Sequence, residues 1–233
     1  MTRHELKEQL QHDQFTDAVS DVVGFALSNR EKLIRWAIVL AAVLVVAGGA
    51  YWFASYRRSV RQQDLAAAFA VLEAPIGQSE ASGKSFPTQE AKTQASIKAL
   101  SDVIAKDGGS REGLTAQYYR GTLRAQSGDS KGAETDLRAV ANSNVASTPL
   151  AKIALARLLA GQNRMGEAQT LLRGLIDKPT DLVSKAQAQL LLAELVQSTN
   201  PQEAKKLLQS LRTPGQDPVI TRAADQIASQ LNR

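Results

Sequence analysis

An uncharged stretch of nineteen residues, Trp36 to Ala54, is the strongest constraint that this sequence places on its fold. At about 1.5 Å per helical residue, a helix of that length matches the ~30 Å hydrocarbon core of a bilayer. Aromatic and basic residues lie at its ends, as they do at membrane–water interfaces. The predicted interface anchors are Trp36, Tyr51, Trp52, Arg57 and Arg58. The sequence therefore predicts one transmembrane helix over residues 36–54.

A cleaved signal peptide is the alternative interpretation of this stretch, because small residues at 48–50 have the spacing of a cleavage site. Thirty-five residues precede the stretch, far more than a usual signal-peptide n-region, so a retained anchor is favoured. Five Lys and Arg residues precede it and three follow it closely. This small excess favours a cytoplasmic N-terminus.

The segment before the anchor, residues 1–35, contains an amphipathic pattern. Apolar residues recur there at helical spacing, while Asp17, Ser20 and Asp21 fall elsewhere on the helical wheel. The apolar face consists of Phe15, Val19, Val22, Val23 and Ala26. We interpret the segment as a tail with a short amphipathic helix. Its apolar face either docks on a cytoplasmic partner or the membrane surface, or merely belongs to a helix that extends the anchor.

An internal repeat occupies the last 120 residues or so. Pairs of residues twelve positions apart recur at offsets of 35 and then 36 residues. The pairs are Gly121 and Ala133, Ala156 and Ala168, and Leu192 and Ala204. Apolar residues follow the second member of each pair by four and seven positions, which predicts one apolar stripe on every second helix. The offsets are close to the 34 residues of the tetratricopeptide repeat, a helical hairpin.

Capping residues and prolines mark the helix boundaries. Thr148, Asn200 and Asp217 each precede a proline, which is typical of a helix start. The predicted repeat helices span 112–127, 129–142, 148–161, 164–177, 181–197, 201–212 and 217–232, the last as a capping helix. The fold class is therefore all-α, with one transmembrane helix followed by a tetratricopeptide-like solenoid over residues 55–233. Generic antiparallel hairpins are the alternative packing.

A more degenerate helix pair precedes these repeats, near 56–73 and 88–106. Ala99 and Val103 are expected at the repeat register of its second helix. Between the two helices, residues 74–88 are rich in Gly, Ser and Pro. This composition predicts a mobile surface loop.

The repeat register also predicts a concave surface, because the first helix of each tetratricopeptide hairpin lines the inner face of the solenoid. The candidate partner-binding residues are Thr115, Tyr118, Thr122, Ile153, Arg157, Gln189 and Ala193. Tyr118 offers amphipathic contact area, and Arg157 offers a guanidinium group for a carboxylate. The alternative is that these are ordinary exposed helix residues.

Residues that carry chemistry are scarce in this sequence. There is no Cys, and the two His residues, His4 and His12, both lie in the tail. These counts exclude thiolate metal sites, and they disfavour a catalytic triad or zinc site in the repeat domain. The run at 77–85, GQSEASGKS, has five residues between its glycines where a phosphate loop has four. We expect no enzyme activity, cofactor or metal, and no small-molecule substrate.

The net charge of +5 belongs to the repeat domain, since residues 1–35 carry five basic and six acidic residues. No basic run is interleaved with aromatic residues, as single-stranded nucleic-acid grooves require. We therefore expect no nucleic-acid partner. The expected partners are the lipid bilayer, through one helix, and other proteins.

The tail and the anchor carry a family resemblance. The run from Asp13-Gln14-Phe15 through Phe25, Asn29 and Lys32 leads into the apolar stretch, which ends near Tyr51-Trp52. This order of parts resembles the bacterial ancillary SecYEG translocon subunit family. The resemblance implies a single-pass protein of the inner membrane with a cytoplasmic N-terminus and a periplasmic repeat domain. It further implies that the partners are translocon subunits, exported polypeptides and periplasmic chaperones.

Two functional hypotheses follow. The first is a non-enzymatic, membrane-anchored adaptor for protein–protein interactions that links exported polypeptides at the Sec translocon to chaperones. The second is a scaffold for another envelope complex, such as a pilus, outer-membrane insertion or division machinery. Both use the same architecture, so only the identity of the bound partner separates them.

Overall fold

The computed structural model describes residues 30–77, 85–213, 215 and 217–231. Within these ranges the chain is all-α, as the sequence predicts, with no strand. The helices are α1 (Arg30–Glu73), α2 (Gln89–Asp107), α3 (Arg111–Gln126), α4 (Ser130–Ala141), α5 (Thr148–Gly161), α6 (Met165–Asp177), α7 (Lys185–Val196), α8 (Pro201–Ser210) and α9 (Pro218–Gln230). The predicted amphipathic helix of the tail, with Phe15, Val19, Val22, Val23 and Ala26, lies outside the described residues.

The chain divides into two units, residues 1–59 and residues 60–233. The described part of the first unit belongs to α1, and its large apolar side chains are exposed. Among the described residues, α1 is the one helix long and apolar enough to cross a membrane. The sequence predicts separate helices over 36–54 and 56–73, but α1 is continuous to Glu73. No Gly or Pro interrupts residues 55–73, so nothing ends the helix there.

The second unit is built from alternating helices, which we call A and B helices. The A helices are residues 60–73 of α1, α3, α5 and α7, and the B helices are α2, α4, α6 and α8. Each helix from α2 to α8 packs against the next one along the chain, and α9 packs against both α7 and α8. This order is that of stacked helical hairpins closed at one end by a capping helix.

A buried stripe on the B helices forms a large part of the core. Three residues at spacings of four and three repeat on each B helix, and each is at most 5% exposed. They are Ser96, Leu100 and Val103; Ala133, Leu137 and Val140; Ala168, Leu172 and Leu175; and Ala204, Leu208 and Leu211. In α2 the small residue of this stripe is Ser96, and the expectation of Ala99 at that position is wrong. Ala99 is half-buried at the edge of the cluster.

One helix start and one predicted capping residue differ from the sequence prediction. Helix α7 begins at Lys185 rather than at residue 181, because Ser184 and Gln187 form a reciprocal capping box. Thr148 is already inside α5, and its hydroxyl accepts a hydrogen bond from the amide of Val145 (3.1 Å) instead of capping the helix.

The ends of the predicted loop at 74–88 are joined by backbone hydrogen bonds. The amide of Gly77 donates to the carbonyl of Phe86 (2.9 Å), and the amide of Phe86 donates to that of Pro75 (3.1 Å). Ala74 is buried. The middle of this loop, residues 78–84, lies outside the described residues.

A buried carboxylate joins three helices. Asp136 on α4 is 1% exposed and accepts two hydrogen bonds from Arg120 (2.8 and 2.7 Å) and one from Arg124 (2.9 Å), both on α3. Arg120 also donates to the hydroxyl of Ser101 on α2 (3.0 Å). Bidentate pairing of this kind fixes geometry as well as charge. The network therefore sets how α2, α3 and α4 pack.

Ion pairs at repeat-equivalent positions join successive B helices. Arg138 on α4 pairs with Glu167 on α6 (3.3 Å), and Arg173 on α6 pairs with Glu203 on α8 (2.7 Å). In each pair the arginine lies five positions after the small stripe residue, and the glutamate lies one position before the next. Hydrogen bonds from Arg164 and then Arg138 lower the pKa of Glu167. The ion pairs between B helices therefore recur with the same period as the buried stripe of the core.

Replacing Asp136 with Asn is expected to lower the free energy of unfolding by about 3 kcal/mol, because it leaves two guanidinium groups without a buried anion. Urea unfolding of the full-length protein in mild detergent, followed by circular dichroism, measures this. The matched control is Asp102→Asn, which breaks an exposed pair with Lys98 and should cost less than about 1 kcal/mol. Equal midpoints for the two variants would contradict the assignment.

Gly121→Val is expected to destabilise the fold by about 2 kcal/mol through overpacking. A Cβ at position 121 would lie 3.0 Å from the Cγ of Leu137 and 3.1 Å from the Cβ of Asp136. Gly174→Val is the control, since a Cβ there meets nothing within 4 Å. Thermal unfolding should show a lower midpoint for the first variant only. A midpoint for Gly121→Val at or above that of the control would show that α3 and α4 are not in close contact there.

Candidate functional site

Four of the predicted partner-binding residues line one cavity between α3 and α5. Tyr118 and Thr122 come from α3, and Ile153 and Arg157 come from α5. Within each helix the two residues are four positions apart, which places them on the same face. The cavity has a volume of ≈ 680 Å³. This is within the range of ligand-binding pockets, about 300–1,000 Å³.

A second cavity, of ≈ 350 Å³, continues the first one towards α7. Ile153 and Arg157 line both cavities. Leu191, Glu194 and Leu195 of α7 complete its other side. We call the two cavities together the groove. Its walls come from three successive A helices, as expected for the inner face of a helical solenoid.

The floor of the groove is the core stripe itself. Leu137 of α4 lines the first cavity and Leu172 of α6 lines the second. Both occupy the same repeat position, four residues after the small residue of their B helix, and both are almost fully buried. The groove therefore lies directly over the hydrophobic core, between neighbouring A helices.

Charge in the groove is concentrated on Arg157. Its side chain is exposed, and within the described part of the chain it has no hydrogen bond or ion pair. Among the described residues that line the first cavity there is no carboxylate. Glu194 contributes the acidic group of the second cavity. The groove is thus mainly apolar, with the guanidinium group of Arg157 shared by both cavities and one carboxylate in the second cavity.

An aromatic cluster lies beside the groove. Tyr118 and Tyr119 have ring centroids 5.2 Å apart, and Tyr119 meets the ring of Phe69 edge-on at 4.8 Å. Burial, and then the neighbouring Tyr119, raise the pKa of Tyr118, so its hydroxyl stays protonated at neutral pH. Edge-on aromatic contacts fix ring orientation. Tyr118 is therefore an ordered apolar wall with a polar tip.

Phe69 was not among the sequence-predicted residues, although the register contains a signal for it. It follows Ala68, which is buried as Gly121 and Ala156 are. The next residue after Gly121 and after Ala156, Thr122 and Arg157 respectively, lines the groove, and Phe69 holds the equivalent position after Ala68. The loop at 74–88 interrupts the period before α3, so the sequence predicts a helix near 56–73 but does not give its repeat register.

Three predicted residues do not line the groove. Ala193 is fully buried against Leu208 and Ile220, because α9 covers that side of α7, so its prediction as a partner contact is wrong. Gln189 lines a separate cavity near the start of α9. The hydroxyl of Thr115 donates to the carbonyl of Arg111 within its own helix (2.8 Å).

The predicted membrane-interface anchors lie on α1. Trp36, Tyr51 and Trp52 are each more than two-thirds exposed, and Trp52 stacks on Tyr56 at 6.0 Å. Arg57 and Arg58 follow on the same helix. Their position at a membrane interface stays a prediction. Among the described residues, no group of three or more His, Cys, Asp and Glu is placed to bind a metal ion.

Comparison with known families now decides the fold family. The sequence profile of the tetratricopeptide repeat-like domain matches residues 28–180, more than half of the chain. The chain belongs to the tetratricopeptide repeat-like domain family. The matched range includes the membrane-length helix and the helices α2 to α6. No match was found among curated proteins or among solved structures.

Tetratricopeptide repeat-like domains are protein-interaction modules and are generally not enzymes. Repeat arrays of this kind bind partners on their extended concave surfaces. The groove lies on that surface, since its walls are A helices. The chain is therefore a protein-interaction adaptor with protein partners.

Proposed function

We propose that the protein is a membrane-anchored accessory factor of the Sec translocon that holds exported polypeptides in its groove and passes them to periplasmic chaperones. One observation carries the proposal. The same chain contains a helix long enough to cross a membrane and an apolar groove on a tetratricopeptide repeat-like domain. The resemblance of the tail and anchor to the ancillary translocon subunits supplies the translocon as partner.

Anchoring gives the groove a functional advantage at a translocon. Tethering turns binding of a nearby polypeptide into an almost intramolecular event, with effective concentrations of about 1 mM for short linkers. A groove of modest affinity then captures a segment of the polypeptide before that segment folds or aggregates. Release is also fast, because the groove itself binds the segment with low affinity.

The proposed location is the bacterial inner membrane, with the tail in the cytoplasm and the repeat domain in the periplasm. The excess of basic residues before the span supports this orientation. In this arrangement Phe15, Val19 and the other apolar residues of the tail dock on the cytoplasmic side. The groove would face polypeptides that have already crossed.

The orientation is tested by cysteine labelling, since the chain has no Cys of its own. In cells with a permeabilised outer membrane, a membrane-impermeant maleimide should label Ser198→Cys, which replaces an exposed residue. The variant Thr2→Cys should be labelled only after lysis, because the inner membrane shields it. The reverse pattern would show a periplasmic tail and a cytoplasmic repeat domain.

The translocon assignment is tested by purification in mild detergent, with co-purifying proteins identified by mass spectrometry. The full-length protein should retain translocon subunits and exported polypeptides. Deletion of residues 2–29, which keeps the basic residues next to the span, should remove most of the translocon signal. Ile153→Ala should lose exported polypeptides while keeping the translocon, because it removes apolar area from the groove. Ile153 also packs against the core, so circular dichroism checks that this variant is folded.

Recovery of a different envelope complex without translocon subunits would contradict this assignment. In that case the scaffold hypothesis, with a pilus, outer-membrane insertion or division complex as partner, replaces it. The deletion and the groove variant then show which part of the chain binds that complex.

A further inference from the structure

We propose that the groove selects an internal segment of a polypeptide in which an Asp or Glu side chain lies beside an apolar side chain, with Arg157 binding the carboxylate. The inference rests on the proposed function, because it names the segment that the groove would take from an exported polypeptide. The proposed preference applies to any polypeptide segment that contains this pattern.

The arginines around the groove show what is unusual about Arg157. On helices α3 to α6 and their caps, most arginines pair with a carboxylate of the chain itself. The paired ones are Arg120, Arg124, Arg138, Arg164 and Arg173. Arg157 lies among them on α5, lines both cavities and has no such partner within the described residues. A guanidinium group in an apolar groove is matched by a planar carboxylate, which accepts two parallel hydrogen bonds.

The lining of the first cavity indicates which kind of ligand side chain lies next to the carboxylate. Its large apolar lining residues are Tyr118, Leu150, Ile153 and Leu158, with Leu137 as the floor, and its polar lining residues are uncharged apart from Arg157. This lining favours an apolar or aromatic side chain. Because the same cavity contains Arg157, the apolar and acidic side chains of the ligand must be close neighbours in its sequence.

The second cavity decides between an internal segment and a C-terminus. It continues beyond Arg157 on the side away from Tyr118, so a chain that ended at Arg157 would leave it empty. Glu194 lines it and would repel a terminal carboxylate. The same glutamate favours a Lys or Arg side chain there. The ligand pattern is therefore an acidic residue with an apolar residue on one side and a basic residue on the other.

The test measures peptide binding to the full-length protein in mild detergent by fluorescence anisotropy. The probes are fluorescein-labelled, C-terminally amidated peptides that contain Leu or Phe, then Glu, then Lys, within a Gly- and Ser-rich chain. Each has a twin in which Gln replaces Glu, and both flank orders are made. The Glu peptides should bind the wild-type protein about tenfold more tightly than their Gln twins, as expected for one charge-assisted contact.

Two variants show whether this preference depends on Arg157. Arg157→Gln should weaken binding of the Glu peptide about tenfold and leave the Gln twin unchanged, which gives a coupled double-mutant cycle. Arg157→Glu should reverse the preference in favour of a peptide with Lys in place of Glu. The control is Arg111→Gln, since Arg111 is exposed and lies outside the lining of both cavities. Circular dichroism checks that each variant is folded.

The inference is wrong if no Glu peptide binds the wild-type protein more tightly than its Gln twin. It is also wrong if Arg157→Gln weakens both twins equally, or if Arg111→Gln has the same effect. A peptide that binds only when the Glu is its free C-terminal residue would overturn the internal-segment assignment in favour of a terminal carboxylate. None of these results depends on which membrane complex co-purifies, so the inference and the translocon assignment fail separately.

Discussion

The leucine that lies four residues after the small residue of each B helix is the contact on which the rest of the second unit depends. Leu100, Leu137, Leu172 and Leu208 are each almost fully buried. A single hairpin cannot cover such a residue, so stacking of neighbours is required. The same requirement creates the groove, because Leu137 and Leu172 also line its floor. At Leu208 the capping helix α9 fills the corresponding position and ends the groove.

The arginines of the second unit fall into two groups, those that pair with a carboxylate of the chain and those that do not. Asp136 binds the guanidinium groups of Arg120 and Arg124 inside the hairpin, where an unpaired charge would be costly. On the outer surface, hydrogen bonds from Arg138 and then Arg164 lower the pKa of Glu134, so this pairing persists to mildly acidic pH. Arg157 projects into the groove instead. Among the described residues that line the first cavity no carboxylate is present to pair with it.

The period of the repeat predicted most of the helices, because small and apolar residues at fixed spacing specify a helix face. It did not predict what covers that face. Ala193 has the spacing of an inner-surface residue but is buried, since α9 packs on α7. Ser96 was overlooked because a hydroxyl residue is seldom expected in a core stripe, although it is 1% exposed. Phe69 was missed because the loop at 74–88 interrupts the period.

Groove size and membrane anchoring are physically linked. Two cavities of ≈ 680 and ≈ 350 Å³ accept only a few side chains. Each buried apolar side chain contributes about 1.5–3 kcal/mol, from which the cost of ordering an extended segment is subtracted. A free domain with such a groove would bind its ligand weakly, with a Kd above about 1 μM. A membrane anchor raises the local concentration of exported polypeptides around the groove and leaves the intrinsic affinity of the groove low. The groove therefore captures a polypeptide without releasing it slowly.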